Sequence, residues 1–194
     1  MRDLFDFNSH ETLPLWAQVL LASRMTRRAA LWMPRSVSTR AREALVAGCD
    51  ALDRCTVAGS VLADAKEALR KATSFDPDGG SYGAATAMYY ALDAAHAAES
   101  SLDFSAAETA CTASVGRAIA AAADGPGLNP LQARIFITSD VDLLAFGCKE
   151  AGIGRYDGVG PHVPQRLTPV HPPSERDLDE VSAEPDEDET HGAR

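Results

Sequence analysis

Between Lys71 and Arg117 the chain runs for 45 residues without a lysine or arginine, and 17 of the 40 residues from Ala84 to Ala123 are alanine. Alanine is the strongest helix former, and a helix that carries almost no charge must cover most of its surface with other helices. Alanine totals 35 along the chain, while β-branched and aromatic residues are sparse. The expected fold class is therefore all-α: a single bundle of six or seven helices, with an Ala-rich central helix hairpin and a disordered acidic C-terminal tail.

Local signals divide this bundle. Thr12 and Pro14 start a first helix, with Leu13, Trp16 and Leu20 at helical spacing, and Pro34 closes it after Trp32. Ser38 caps a second helix whose stripe is Ala41, Leu45, Cys49, Leu52 and Cys55, and Ser60 opens a third with Val61, Ala65, Leu69 and Ala72 inward. The turn cluster Asp76-Pro77-Asp78-Gly79-Gly80 ends it. A fourth helix follows from about Ser81 to Ser101. On its wheel Ala84, Ala87, Ala91, Ala94, Ala95 and Ala98 fall within about 100° of one another, with Met88, Leu92, Ala85 and Tyr89 supplying bulk beside them.

Ser105 and Glu108 have capping-box spacing and introduce a fifth helix with another small-residue stripe, Ala107, Cys111, Ser114, Val115, Ala118 and Ala122. Two successive smooth faces pack against each other as an antiparallel hairpin. Gly125-Pro126-Gly127 break the fifth helix, and Asn129-Pro130 start a sixth that stops near Gly152. Ile135 to Thr138 has strand-like composition, but one strand would have no partner, so helix is the better reading of residues 135–142. The resulting organisation is an N-terminal arm at 1–12, a helical bundle at 13–152 and an extended, disordered acidic tail at 153–194.

Charge is unevenly placed. From Glu175 to Arg194 nine acidic residues face two basic ones, a net −7 out of the chain's −10, which leaves the body at −3. The absence of an apolar leader in Met1–Ser9, which carries Asp3 and Asp6, points to a cytoplasmic protein with no membrane association. Cys49, Cys55, Cys111 and Cys148 match neither zinc nor redox spacing and read as buried apolar thiols.

Two groups of side chains could carry chemistry. Asp93, His96 and Glu99 lie three apart on the fourth helix, with Tyr89 nearby, and form a candidate polar cluster suited to acid–base work or metal ligation. Asp93-x-x-His96 matches one half of the carboxylate-x-x-His element of metal-binding bundles, but the other histidines, His10, His162, His171 and His191, supply no second half. A His–carboxylate hydrogen bond at the core edge explains the cluster more simply, so no metal or cofactor is expected. The second group, Arg24, Arg27 and Arg28, is a candidate partner surface. Binding nucleic acid there is opposed by the acidic body and tail. A calcium loop at Asp76 fails because Ala87 stands at its twelfth position, and no P-loop, G-x-S-x-G elbow, H-E-x-x-H or dinucleotide fingerprint occurs.

The stretch Phe75–Leu102, with its Asp/Gly turn, Tyr82 and ALDAAHAAESSL, resembles the central part of an uncharacterised family of small all-helical bacterial proteins. LPLWAQVLLASRM and LNPLQA fit the same layout. Helical immunity proteins paired with bacterial toxins are similar in appearance. These resemblances imply a helical bundle and carry over no catalytic residue. The expected function is that of a non-enzymatic interaction module with a protein partner, of inhibitor or immunity type. A metal-dependent or acid–base enzyme built on Asp93, His96 and Glu99 is the alternative, and nucleic-acid binding through the arginines is a second one.

Overall fold

A computed structural model describes residues 13–33, 39–73, 82–100, 104–123 and 130–171. The described residues form seven helices and no strand: α1 (Leu15–Leu31), α2 (Thr39–Ala58), α3 (Lys66–Thr73), α4 (Tyr82–Ser100), α5 (Phe104–Ala123), α6 (Pro130–Glu150) and α7 (His162–Gln165). None is long and apolar enough to cross a membrane. The all-α expectation holds, and residues 135–142 lie inside the continuous α6. The N-terminal arm at 1–12, the Asp76–Gly80 turn and the acidic run from Glu175 lie outside the described residues.

The α4–α5 hairpin forms through the smooth faces. Ala84, Ala87, Ala91, Ala94, Ala95 and Ala98 are all buried, as are Ala107, Cys111, Ser114, Val115 and Ala118 opposite. The two backbones come so close that a Cβ placed on Gly83 would stand 2.5 Å from the Ala121 Cβ. Ser114 Oγ donates to the Ala87 carbonyl at 2.7 Å, so the one polar group on this seam is satisfied across it. α5 begins at Phe104, one residue before Ser105, which places Ser105 within the helix rather than ahead of it. Tyr89, expected to add bulk to the core, is instead 52% exposed.

The helix covered on almost every side is α1, not α4. Every α1 residue except Arg27 and Leu31 is buried, including Gln18, Ser23, Arg24, Thr26 and Arg28. Leu15, Trp16, Val19, Leu20, Leu21 and Met25 give it the large side chains that the alanine helices lack. Small faces on α4 and α5 therefore close around a bulky central rod, and the Cys111 thiol donates to the Gln18 carbonyl at 3.0 Å where α5 meets α1. Large-against-small pairing of this kind fills space at interior density.

α3 starts at Lys66, later than expected from Ser60. Val61 N–H donates to Glu99 Oε1 at 3.1 Å and Leu62 N–H to Cys55 Sγ at 3.4 Å, which ties the connection to α4 and α2 before a turn leads into the helix. α2 ends in a left-handed Gly59 with φ 71°, whose N–H reaches the Cys55 carbonyl at 2.8 Å. α6 ends in the same way at Gly152. Gly152 N–H reaches Lys149 O at 3.2 Å and Ile153 N–H reaches Cys148 O at 2.9 Å, the paired bonds of a Schellman cap.

The ordered body continues past residue 152, which corrects the boundary expected there. In segment 153–171 Val159, Val163 and Leu167 are buried, and Val159 N–H donates to the Thr56 carbonyl at 2.9 Å. Gly154, Gly158 and Gly160 make this stretch look like a loop in sequence, but the absence of a side chain is what lets it approach. A Cβ on Gly158 would sit 2.5 Å from Gly59 N and 2.7 Å from Val57 O. Gly147 of α6 similarly receives the Val163 methyl groups, which lie 3.4 and 3.6 Å from where its Cβ would be. The same segment meets the start of α1, where Leu15 N–H donates to the Arg155 carbonyl at 3.0 Å.

Candidate functional site

Of the three arginines expected at a partner surface, Arg24 and Arg28 lie inside the bundle and Arg27 lies part-buried at its edge. Arg24 is 8% exposed and Arg28 3%, and they share Asp140 of α6, which is fully buried. Arg28 Nη1 donates to Asp140 Oδ2 at 2.5 Å, and its guanidinium lies 4.8 Å over the Phe136 ring. Arg24 Nε stands 3.5 Å from the same oxygen, and its Nη2 donates to the Thr168 carbonyl. Burial draws the Arg24 guanidinium below its ordinary pKa, against the pull of Asp140.

Arg27 faces α2. It donates to Asp50 Oδ1 and to Asp53 Oδ2, each at 2.7 Å, while the Ser23 hydroxyl donates to Asp53 Oδ1 at 2.5 Å. Burial pushes the Asp53 carboxyl up despite Arg27 and Ser23. Burial works most strongly to lower the Arg27 pKa, but Asp53, Cys49 and Asp50 together outweigh it and the net shift is upward. The polar side of α1 is thus neutralised residue by residue from α2 and α6. That geometry staples three helices together and withdraws Arg24 and Arg28 from the surface, while Arg27 is engaged at its edge.

The candidate polar cluster on α4 does not converge. Glu99 is tied to the Val61 N–H, and the side chain of His96 is exposed. Asp93 turns toward α5. Among the described residues no group of three or more His, Cys, Asp or Glu side chains is placed to hold a metal ion. The spacing of three that made these residues neighbours also spread them over about 120° of the helix, enough to send them to different surroundings.

Asp93 instead lines a cavity of about 450 Å³ on the outer side of the α4–α5 hairpin. Its wall is smooth, formed by Ala97 of α4 and Ala106, Ala110 and Ala113 of α5, and its polar groups are Tyr90, Asp93, Ser105 and Thr109. The Tyr90 ring is held by an edge contact with Tyr89, with centroids 5.7 Å apart and an interplanar angle of 77°. The groove exists because the alanines at its wall, Ala97, Ala106, Ala110 and Ala113, leave only methyl groups between the larger Tyr90, Asp93 and Thr109.

A second outward feature belongs to α6. Its inner stripe carries Ala133, Ile137, Asp140, Val141, Leu144 and Cys148, all buried. On the opposite side Ile135 is 60% exposed and Phe146 57%. At 100° per residue these two side chains point about 20° apart, separated by roughly 16 Å along the axis.

The four cysteines are buried and unpaired. Burial pushes the Cys111 thiol to about 12 and Cys148 to about 11, and it raises Cys49 and Cys55 as well. Thiolate is the reactive form, so at pH 8 the native thiols are expected to react with a disulfide reagent at least roughly 100-fold more slowly than in denaturant. A thiol-release assay checks this; fast reaction of one native thiol would mean that its helix opens readily.

No protein-family model matches the chain, nor does any curated protein or solved structure.

Proposed function

We propose that the protein is a non-enzymatic, cytoplasmic interaction module of the inhibitor or immunity-factor type, and that it meets its protein partner with the outward side of α6. The observation that supports this most is the pair Ile135 and Phe146, two large apolar side chains left more than half exposed on one side of a helix whose other side is fully packed. Apolar groups exposed on one side of a helix are where a contact surface would be centred if a partner covers them and the residues between. Nothing in the bundle's own packing calls for them, because Ile137, Val141 and Leu144 already supply the buried side of α6. Asp142, on the same outward side, is exposed and adds a polar edge. The acidic run at 175–194 suits a partner with a basic surface.

Ile135→Arg combined with Phe146→Arg is expected to leave the helical circular dichroism and the unfolding midpoint unchanged. It should reduce retention of the partner by at least roughly tenfold in a pull-down from native extract followed by cross-linking, as loss of central apolar contacts does in other interfaces. Failure to retain any specific protein, or equal retention by the variant, would count against the reading.

A further inference from the structure

We propose that the groove on the outer side of the α4–α5 hairpin is a binding site for an organic cation, an alkylammonium or guanidinium group. It involves residues other than the α6 surface and does not depend on that surface having a partner. The groove's volume of about 450 Å³ lies within the range of small-ligand sites. Its one charged lining group is Asp93, which has no hydrogen bond or ion pair with any described residue and is only part-exposed. Elsewhere in the body Asp50, Asp53 and Asp140 each have an arginine.

Asp93 is left without a cation for a reason visible in the sequence. Residues 72–116 contain no lysine or arginine, so neither lies near it along α4 or the first three turns of α5, and His96, three residues on, is exposed with its side chain elsewhere. Arg117, the first to follow, stands one turn beyond Ala113 at the far end of the groove and is not among the lining residues. The other lining groups suit the same ligand. Tyr90 offers an aromatic ring, which attracts a cation through its face. Ser105 and Thr109 carry hydroxyl oxygens that accept hydrogen bonds from N–H donors, and the alanine wall takes the apolar stem of an alkylammonium or arginine-like chain. An anionic ligand would meet the carboxylate and find no positive partner.

The test is a titration of the ¹⁵N-labelled full chain, followed by amide chemical shifts, with n-butylammonium, n-butylguanidinium and neutral butanol. Both cations should give saturable shifts centred on Asp93, Ala97, Thr109 and Ala110, with Kd on the order of 1 mM, as a single partly exposed ion pair with modest apolar contact allows. Asp93→Asn should weaken binding by at least tenfold while leaving the fold intact. Ala110→Phe, which fills the groove from the other helix, should abolish it. No saturable shift with either cation, shifts of equal size with butanol, or binding unchanged in Asp93→Asn would each overturn the proposal. A blocked Ala-Arg-Ala peptide separates the two sources of such a group. Binding at least tenfold tighter than butylguanidinium assigns the site to a basic side chain of a protein, and weaker or equal binding assigns it to a free small cation.

Discussion

Asp140→Ala is expected to destabilise the protein by about 3–5 kcal/mol, because it leaves Arg24 and Arg28 buried together with no counter-charge. For a chain whose total stability lies within about 5–15 kcal/mol, that is a large share. Urea denaturation measures it as a fall in the midpoint by more than about 1 M at the slopes usual for small domains. The cost comes from orphaned charge, not from loss of an attractive contact, and a second variant separates the two. Replacing Arg24 and Arg28 by methionine and Asp140 by leucine should recover most of the loss, since buried ion clusters are often matched by apolar groups of similar volume. Arg24 Nε, Arg28 Nη2 and Asp140 Oδ1 are buried without a hydrogen-bond partner among the described residues, so the cluster is incompletely satisfied and the apolar replacement has little to make up. A cost below about 1 kcal/mol for Asp140→Ala would show that the arginines reach water, contrary to their burial.

Gly158→Ala is expected to cost about 2–3 kcal/mol, the upper end for adding a single methyl to a packed site. The new carbon would lie 2.5 Å from Gly59 N, 2.7 Å from Val57 O and 2.8 Å from the Ala58 carbonyl carbon, all of them backbone atoms that cannot rotate away. The chain must then lift from the end of α2, which endangers the Val159 to Thr56 hydrogen bond and the burial of Val159 and Val163. Gly152→Ala provides the contrast. Nothing lies within 4 Å of its Cβ position, so the penalty is confined to the left-handed backbone, about 1 kcal/mol. Comparable losses at the two positions would mean that crowding at Gly158 is relieved elsewhere, and thermal unfolding of both variants decides between these outcomes.

Helix periodicity and alanine content were enough to read the all-α class, the α4–α5 hairpin and the helical state of residues 135–142. Small residues at intervals of three and four encode a helix and its close-packed face at once, which is why this part was readable. The burial of α1 was harder, because Arg24, Arg27 and Arg28 look like an exposed face when counted as charges. A signal was nonetheless present. Asp140 falls on the same wheel stripe as Ile137, Val141 and Leu144, and a carboxylate on a buried stripe requires a buried cation from another helix. The fate of Asp93, His96 and Glu99 could not be read, since it depends on where the α2–α3 connection and α5 lie, and these are placed by contacts distant in sequence. Segment 153–171 was misread because its packing rests on missing side chains, and glycine has the same appearance in a loose loop and in a tight crossing.

The placement of α1 at the centre has a consequence for the order in which the protein can assemble during synthesis. The partners of Arg28 and Arg24 lie 112 and 144 residues further along the chain, at Asp140 and Thr168. At ordinary translation rates they emerge on the order of ten seconds after α1. Through that interval α1, the most deeply buried helix, can already be covered by α2, α4 and α5, but Arg24 and Arg28 still lack the buried partners that α6 and the segment after it supply. Nascent chains of increasing length should therefore gain protease protection within α1 as α2, α4 and α5 emerge, and reach full protection only when residue 171 has cleared the ribosome.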